Sequence, residues 1–164
     1  MKTFHKILVA CDLSKYTNQV MHYAIALAEC SGAKLILANV INKRDVDAIE
    51  HAVHRSFLIQ KEASPAAFVS EHKHEREAQL EEIINSSGHP ELFLKTVIAT
   101  GVPVQELINI VEMEQVDLVV MGTRGRTNLT SALLGATAEK MFRSCPVPIL
   151  SVRLHKKSDG KFGG

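Results

Sequence analysis

The sequence predicts an α/β protein built on an open, parallel, five-stranded sheet with helices on both faces. Three observations carry this prediction. Short, almost continuously apolar runs of strand length recur along the chain, as strands buried on both faces require. Between them lie longer stretches whose apolar residues repeat at helical spacing, so that strands and helices alternate. With 164 residues, 46% of them hydrophobic and 23% charged, the chain is long enough to build a core on a single sheet.

His5 to Cys11 (HKILVAC) is the first strand, ending at Asp12. Asp12-Leu13-Ser14 forms the turn out of it, with Ser14 the candidate helix N-cap. From Tyr16 to Cys30 apolar residues recur at Val20, Ala24, Leu27 and Ala28, and Gly32 follows as a C-terminal stop. Lys34 to Ile41 (KLILANVI) is the second strand. The segment 42–88 is rich in charge and histidine and is divided by Pro65. Val46, Ile49, Val53 and Phe57 step at helical spacing, which predicts a loose connection holding a short helix. Ala67 to Ile84 then reads as a long helix ending near Ser87-Gly88.

Phe93 to Ile98 (FLKTVI) is the third strand, and Thr100-Gly101-Val102-Pro103 turns into the next helix. Pro103 falls in its first turn, where a missing N–H costs little. Val116 to Met121 is the fourth strand, and Ser131 to Arg143 is expected as the last main helix. Cys145-Pro146-Val147 leads into a fifth strand, Pro148 to Arg153 (PILSVR). The expected organisation is one domain over residues 1–154, with 42–88 as its variable segment, and a flexible polar tail over 155–164.

Composition excludes several classes. A net charge of +1 provides no field for nucleic acid or anionic lipid, and no apolar run approaches the ~18–20 residues of a membrane span. Asp12 interrupts the apolar N-terminal run and no small-residue cleavage site follows, which argues against a signal peptide. Three cysteines, Cys11, Cys30 and Cys145, make no CxxC pair, and buried reduced thiols in a cytoplasmic protein are expected. His51 and His54 could share a helix face, but no cysteine or carboxylate ligands stand at motif spacing, so no metal site is assigned.

The segment richest in chemistry runs from Met121 to Thr137. The apolar run Leu118-Val119-Val120-Met121 stops at Gly122; Gly125 follows after two residues, and Gly135 after nine more, inside the helical pattern. A buried strand feeding a glycine turn that opens a helix presents backbone N–H groups to an anion. Glycines at 122 and 125 can take positive φ and admit a ligand close to the backbone. Taken alone, a GxxG is as readily a loop that turns a corner. Position raises its standing: ligands of open sheets bind at the carboxyl ends of strands, where strand order reverses. With the order 3-2-1-4-5, Asp12 and the glycine loop flank that point. No GxGxxG follows the first strand, no GxxxxGK[ST] occurs, and no GxSxG nucleophile elbow is present. No catalytic residue is assigned, and any hydrolysis of a bound ligand is expected to be slow.

At these residues the chain resembles the universal stress protein family over nearly its whole length. The resemblance is carried by ILVACDLS, by LILANVI, and by the stretch from TGVPVQELINIVEMEQVDLVVMGTRGRTNLT to SALLGATAEKMFRSCPVPILSVR. Nucleotide-binding members carry G-x2-G-x9-G followed by Ser or Thr, and Gly122, Gly125 and Gly135 fall on the three glycines. The next residue is Ala136, a departure, with Thr137 one place later. At 100° per residue Thr137 is expected to be a poor stand-in for the missing hydroxyl, so weaker triphosphate binding, or a preference for a different nucleotide, is expected.

The resemblance implies a Rossmann-like fold of the adenine nucleotide alpha-hydrolase-like kind and a bound adenine nucleotide, ATP or AMP, with Mg2+ as an optional companion. It places Asp12 near the ribose hydroxyls and the Val40 backbone at the adenine edge, with Ala10 and Met121 lining the base pocket. Gly122, Arg124, Gly125, Arg126 and Thr127 would surround the phosphates, with Gly135 allowing close approach. The implied role is a cytoplasmic, dimeric stress-response regulator. An apolar last strand at a sheet edge also calls for cover, so a two-fold homodimer through antiparallel pairing of Val147 to Arg153 is expected. The alternatives are a nucleotide-free interaction module, to which Ala136 points, and a weak ATPase.

Overall fold

Residues 4–55, 65–123 and 134–153 are described by a computed structural model. Strands β1 (Lys6–Ala10), β2 (Lys34–Asn42), β3 (Phe93–Gly101), β4 (Leu118–Gly122) and β5 (Ile149–Val152) form one parallel sheet in the order β3-β2-β1-β4-β5. Among the described residues five α-helices connect them: α1 (Thr17–Ser31), α2 (Lys43–Arg55), α3 (Pro65–Ser86), α4 (Pro103–Glu114) and α5 (Ala136–Ser144). The sheet order is the one the sequence predicts.

The unbroken apolar runs are explained by burial on both faces. Ile7, Val9, Leu35, Leu37, Leu118 and Val120 point to one face and pack with residues of α1 and with Leu80 of α3. Their neighbours Leu8, Ile36, Val119 and Met121 point to the other, against Leu107, Ile110 and Val111 of α4 and Met141 of α5. Side chains alternate across a strand, so every residue of such a run meets a helix layer. Helix α1 ends where expected, because Gly32 adopts φ 72° and its N–H closes on the Ala28 carbonyl.

Several boundaries differ from the expectation, each for a local reason. Tyr16, not Ser14, is the N-cap of α1; Ser14 acts two residues earlier, its hydroxyl accepting from Tyr16 N–H and its carbonyl from Thr17 N–H. β3 continues three residues past Ile98 because it stays paired with β2 as far as Asn42↔Gly101. The connection after β2 holds a full 13-residue helix, α2. α5 begins at Ala136, since Gly135 is extended (φ −74°, ψ 153°) and stands as its N-cap; the expected start at Ser131 lies outside the described residues. Of the three thiols only Cys11 is buried, while Cys30 is exposed on α1. No helix among the described residues is long and apolar enough to cross a membrane.

Asp117 anchors the central strands at their amino ends. One carboxylate oxygen accepts from the backbone N–H groups of His5 (2.7 Å) and Lys6 (2.9 Å), and Asp117 N–H donates to the Lys6 carbonyl at 2.9 Å. Charge-assisted bonds of this kind are stronger than neutral ones. Asp117→Ala is expected to cost about 1–2 kcal/mol, discounted for partial exposure. Thermal unfolding should register this as a midpoint lower by about 3–6 °C.

Candidate functional site

The site is set by topology. From β1 the chain crosses to β2 on one side, while β4 leads to β5 on the other, so the carboxyl ends of the adjacent β1 and β4 face a crevice. A cavity of about 430 Å³ occupies it, within the range of small-molecule sites.

On the β1 side the chain turns sharply. Cys11 N–H still bonds to the Ala38 carbonyl at 2.8 Å, after which Asp12 leaves the sheet and Leu13 takes φ 58°, a left-handed conformation uncommon for a bulky residue. Asp12 Oδ1 accepts from Ser14 N–H at 3.0 Å. Asp12 Oδ2 is buried and has no hydrogen-bond partner among the described residues. A buried acceptor without a donor is costly and uncommon.

On the β4 side, Thr123 N–H bonds to the Val152 carbonyl, and Gly135 N–H returns to the Thr123 carbonyl at 2.7 Å. Thr123 and Gly135 therefore bring the two ends of the glycine loop together at the tip of β4. Gly135 has no side chain to cap α5, so the first-turn N–H groups of Ala136, Thr137 and Ala138 have no capping side chain from it. All three residues line the cavity.

Of the residues singled out from the sequence, Ala10, Asp12, Val40, Met121, Gly122, Gly135, Ala136 and Thr137 all line this one cavity. Arg124, Gly125, Arg126 and Thr127 lie outside the described residues. Two expectations change in detail. Gly122 belongs to a strand and does not use the left-handed freedom of glycine expected of it, so what remains there is its small size; Gly125, the other glycine of that expectation, is among the residues outside the description. Thr137 reaches the cavity beside Ala136 because both sit in the first helical turn, where the chain has only begun to wind.

The structure adds Asn42, the last residue of β2, Asp45, in the first turn of α2, and Tyr16 and Thr17, at the start of α1, to the lining. The variable segment thus contributes to the site. The helical spacing of Val46, Ile49 and Val53 was the available signal for α2, but it says nothing about which polar residue faces the crevice. Cys11 also lines the cavity, its Sγ 3.7 Å from Thr17 Oγ1. Burial pushes its thiol pKa up, with the Asp12 charge adding in the same direction, so it is held as a neutral thiol.

A family model described as the universal stress protein family matches residues 3–153. Universal stress protein MJ0577 of Methanocaldococcus jannaschii is 27% identical over 154 residues, covering 92% of this chain and 95% of its own. The solved structure of MJ0577 aligns with a TM-score of 0.79 at 24% identity, over 95% of this chain and 100% of that one. A universal stress protein family member from Arabidopsis thaliana, solved with AMP bound, aligns at 0.59 and 17% identity over 94% and 97% of the two chains. A universal stress protein in complex with cAMP aligns at 0.54 and 19%, over 93% and 98%. With its model spanning the chain from residue 3 to 153, and the sheet order and crevice as described, this protein belongs to the universal stress protein family.

Proposed function

We propose that the chain binds an adenine nucleotide, ATP or AMP, in the cavity between the ends of β1 and β4, and acts as a dimeric, cytoplasmic stress-response regulator. The observation that carries this reading is the pairing of opposite demands across one cavity. Among the described residues, Asp12 on one side has a buried acceptor lacking a donor, and the open first turn of α5 on the other has donors lacking a capping side chain. A ribose diol donates hydrogen bonds and a phosphate accepts them. The apolar lining at Ala10, Val40 and Met121 suits a base between them. Relatives solved with AMP and with cAMP support the same ligand class.

In this reading Arg124, Gly125, Arg126 and Thr127 complete the phosphate site, and Mg2+ accompanies a triphosphate without a dedicated protein ligand. Hydrolysis is at most slow, because no residue is assigned to activate water. The free thiols suit a reducing cytoplasm. Calorimetry with ATP and AMP, together with mass spectrometry of nucleotide released on denaturation, tests the reading. Heat with either nucleotide supports it; no heat and no released nucleotide would leave the interaction module, which Ala136 favours by withholding a hydroxyl from the cavity.

The dimer is expected through β5, which lies at the sheet edge and leaves Leu150 exposed. Val119 N–H bonds to the Pro148 carbonyl and Thr123 N–H to the Val152 carbonyl. Backbone groups alternate sides along a strand, so the N–H of Ser151 faces away from β4 and is available to a second copy. Ser151→Pro removes that donor and leaves the β4–β5 ladder intact. Light scattering at micromolar concentration should report a dimer for the unsubstituted protein and a folded monomer for the variant. A dimer in both would move the interface elsewhere.

A further inference from the structure

Asn39 is polar and 1% exposed in the middle of the apolar strand β2. Its side chain has two partners of fixed polarity. Arg76 Nη1 donates to Asn39 Oδ1 at 2.6 Å, and Asn39 Nδ2 donates to the Cys11 carbonyl at 2.8 Å. A guanidinium only donates and a carbonyl only accepts, so the amide has one satisfying orientation. Arg76 lies one helical turn before the buried Leu80 of α3, on the same helix face. Neither Asn39 nor Arg76 lines the cavity.

The link lands on the carbonyl at the last point where β1 is held to β2. The next residue is Asp12, and the one after it is Leu13 in its left-handed conformation. A peptide plane gripped on its carbonyl cannot rotate freely, and that plane joins Cys11 to Asp12. The Asn39 amide therefore extends the β1–β2 pairing by one contact beyond the ladder and sets the direction in which the Asp12 carboxylate leaves the sheet.

We infer that Asn39 and Arg76 are positioning residues for ribose recognition, a relay by which α3 of the variable segment aims the Asp12 carboxylate. This rests on the adenine-nucleotide reading of the cavity. It assigns the long helix after Pro65 a part in ligand selectivity, although its linking side chain does not line the cavity.

The readout is the ratio of affinities for ATP and 2′,3′-dideoxy-ATP, measured by calorimetry on the full chain alongside thermal unfolding. A merely structural role weakens both nucleotides alike and leaves the ratio unchanged. Two variants break the relay at different joints. Arg76→Met removes the outer donor, and Asn39→Asp keeps an acceptor for Arg76 while turning an acceptor toward the Cys11 carbonyl. Both are expected to lower the ratio by about fivefold, the scale of one misdirected hydrogen bond, with dideoxy affinity within about twofold of the unsubstituted protein. Arg76→Lys, which retains a donor, should recover part of the ratio. Should Asn39→Asp fail to fold, Arg76→Met and Arg76→Lys decide alone. An unchanged ratio in the variants, with normal binding by the unsubstituted protein, overturns the relay and leaves the nucleotide site standing. Absence of binding by the unsubstituted protein overturns both.

Discussion

Gly122→Val is expected to reduce nucleotide affinity by about 100-fold or more while leaving the protein folded. Gly122 is the last residue of β4, pairs with Val152, and lines the cavity. By strand alternation its missing side chain belongs on the face of Val120, toward α1. Its backbone is that of a strand and does not require positive φ, so a β-branched residue is locally compatible. Added atoms would occupy space needed by the ligand instead of straining the chain. Calorimetry with ATP reads the loss, and circular dichroism with thermal unfolding checks the fold. Undiminished binding in a folded variant would show that the ligand does not sit at the tip of β4.

Asp12→Asn is expected to weaken ATP by about 10–100-fold, the range for a hydrogen bond to a charged group. The substitution is nearly isosteric. Its remaining oxygen can still accept from Ser14 N–H, as Oδ1 does at 3.0 Å, so the turn is kept. The atom replacing the unmatched Oδ2 becomes an amide nitrogen, which donates and cannot accept from a ribose hydroxyl. The loss should therefore fall on ribonucleotides, with 2′,3′-dideoxy-ATP nearly unaffected. Equal loss for both nucleotides would assign Asp12 to the architecture of the turn and remove it from ribose recognition.

The two substitutions probe opposite walls of the crevice. Their combination separates ligand space from ligand polarity: the valine should exclude every adenine nucleotide, the asparagine only those with hydroxyls to offer. Asp12 and Gly122 were both legible in the sequence for the same reason. Each is the residue at which an apolar run stops, HKILVAC before Asp12 and LVVM before Gly122. Breaks in a buried strand mark the sheet's carboxyl edge, where such folds bind ligands.

The interior of the site was less legible. LILANVI reads as a buried strand, yet nothing near Asn39 in the sequence names its partner. The donor stands 37 residues away on α3, and the acceptor 28 residues earlier at Cys11. A polar residue inside an apolar strand was a signal that some hydrogen bond must exist, but not which one. Around Gly135 the expected helix differs from the observed one for a different reason. Leu133, Leu134 and Ala138 continue an apolar pattern across Gly135, whereas the backbone there is extended and the helix begins one residue later. That shift brings Ala136 and Thr137 together at the cavity.

By itself, the sequence determined the parallel sheet, the alternation of strands and helices, and the two places where strands open onto the crevice. These depend on local periodicity and on where apolar runs end, both written into consecutive residues. Only the tertiary structure decided that Asp12 retains an oxygen unmatched among the described residues, that the end of β2 and the start of α2 contribute Asn42 and Asp45 to the lining, and that Arg76 reaches Asn39. Those outcomes depend on the angle and depth at which distant elements pack. Hydrogen bonding needs its partners aligned within a few tenths of an ångström, and spacing along a chain carries no information at that scale.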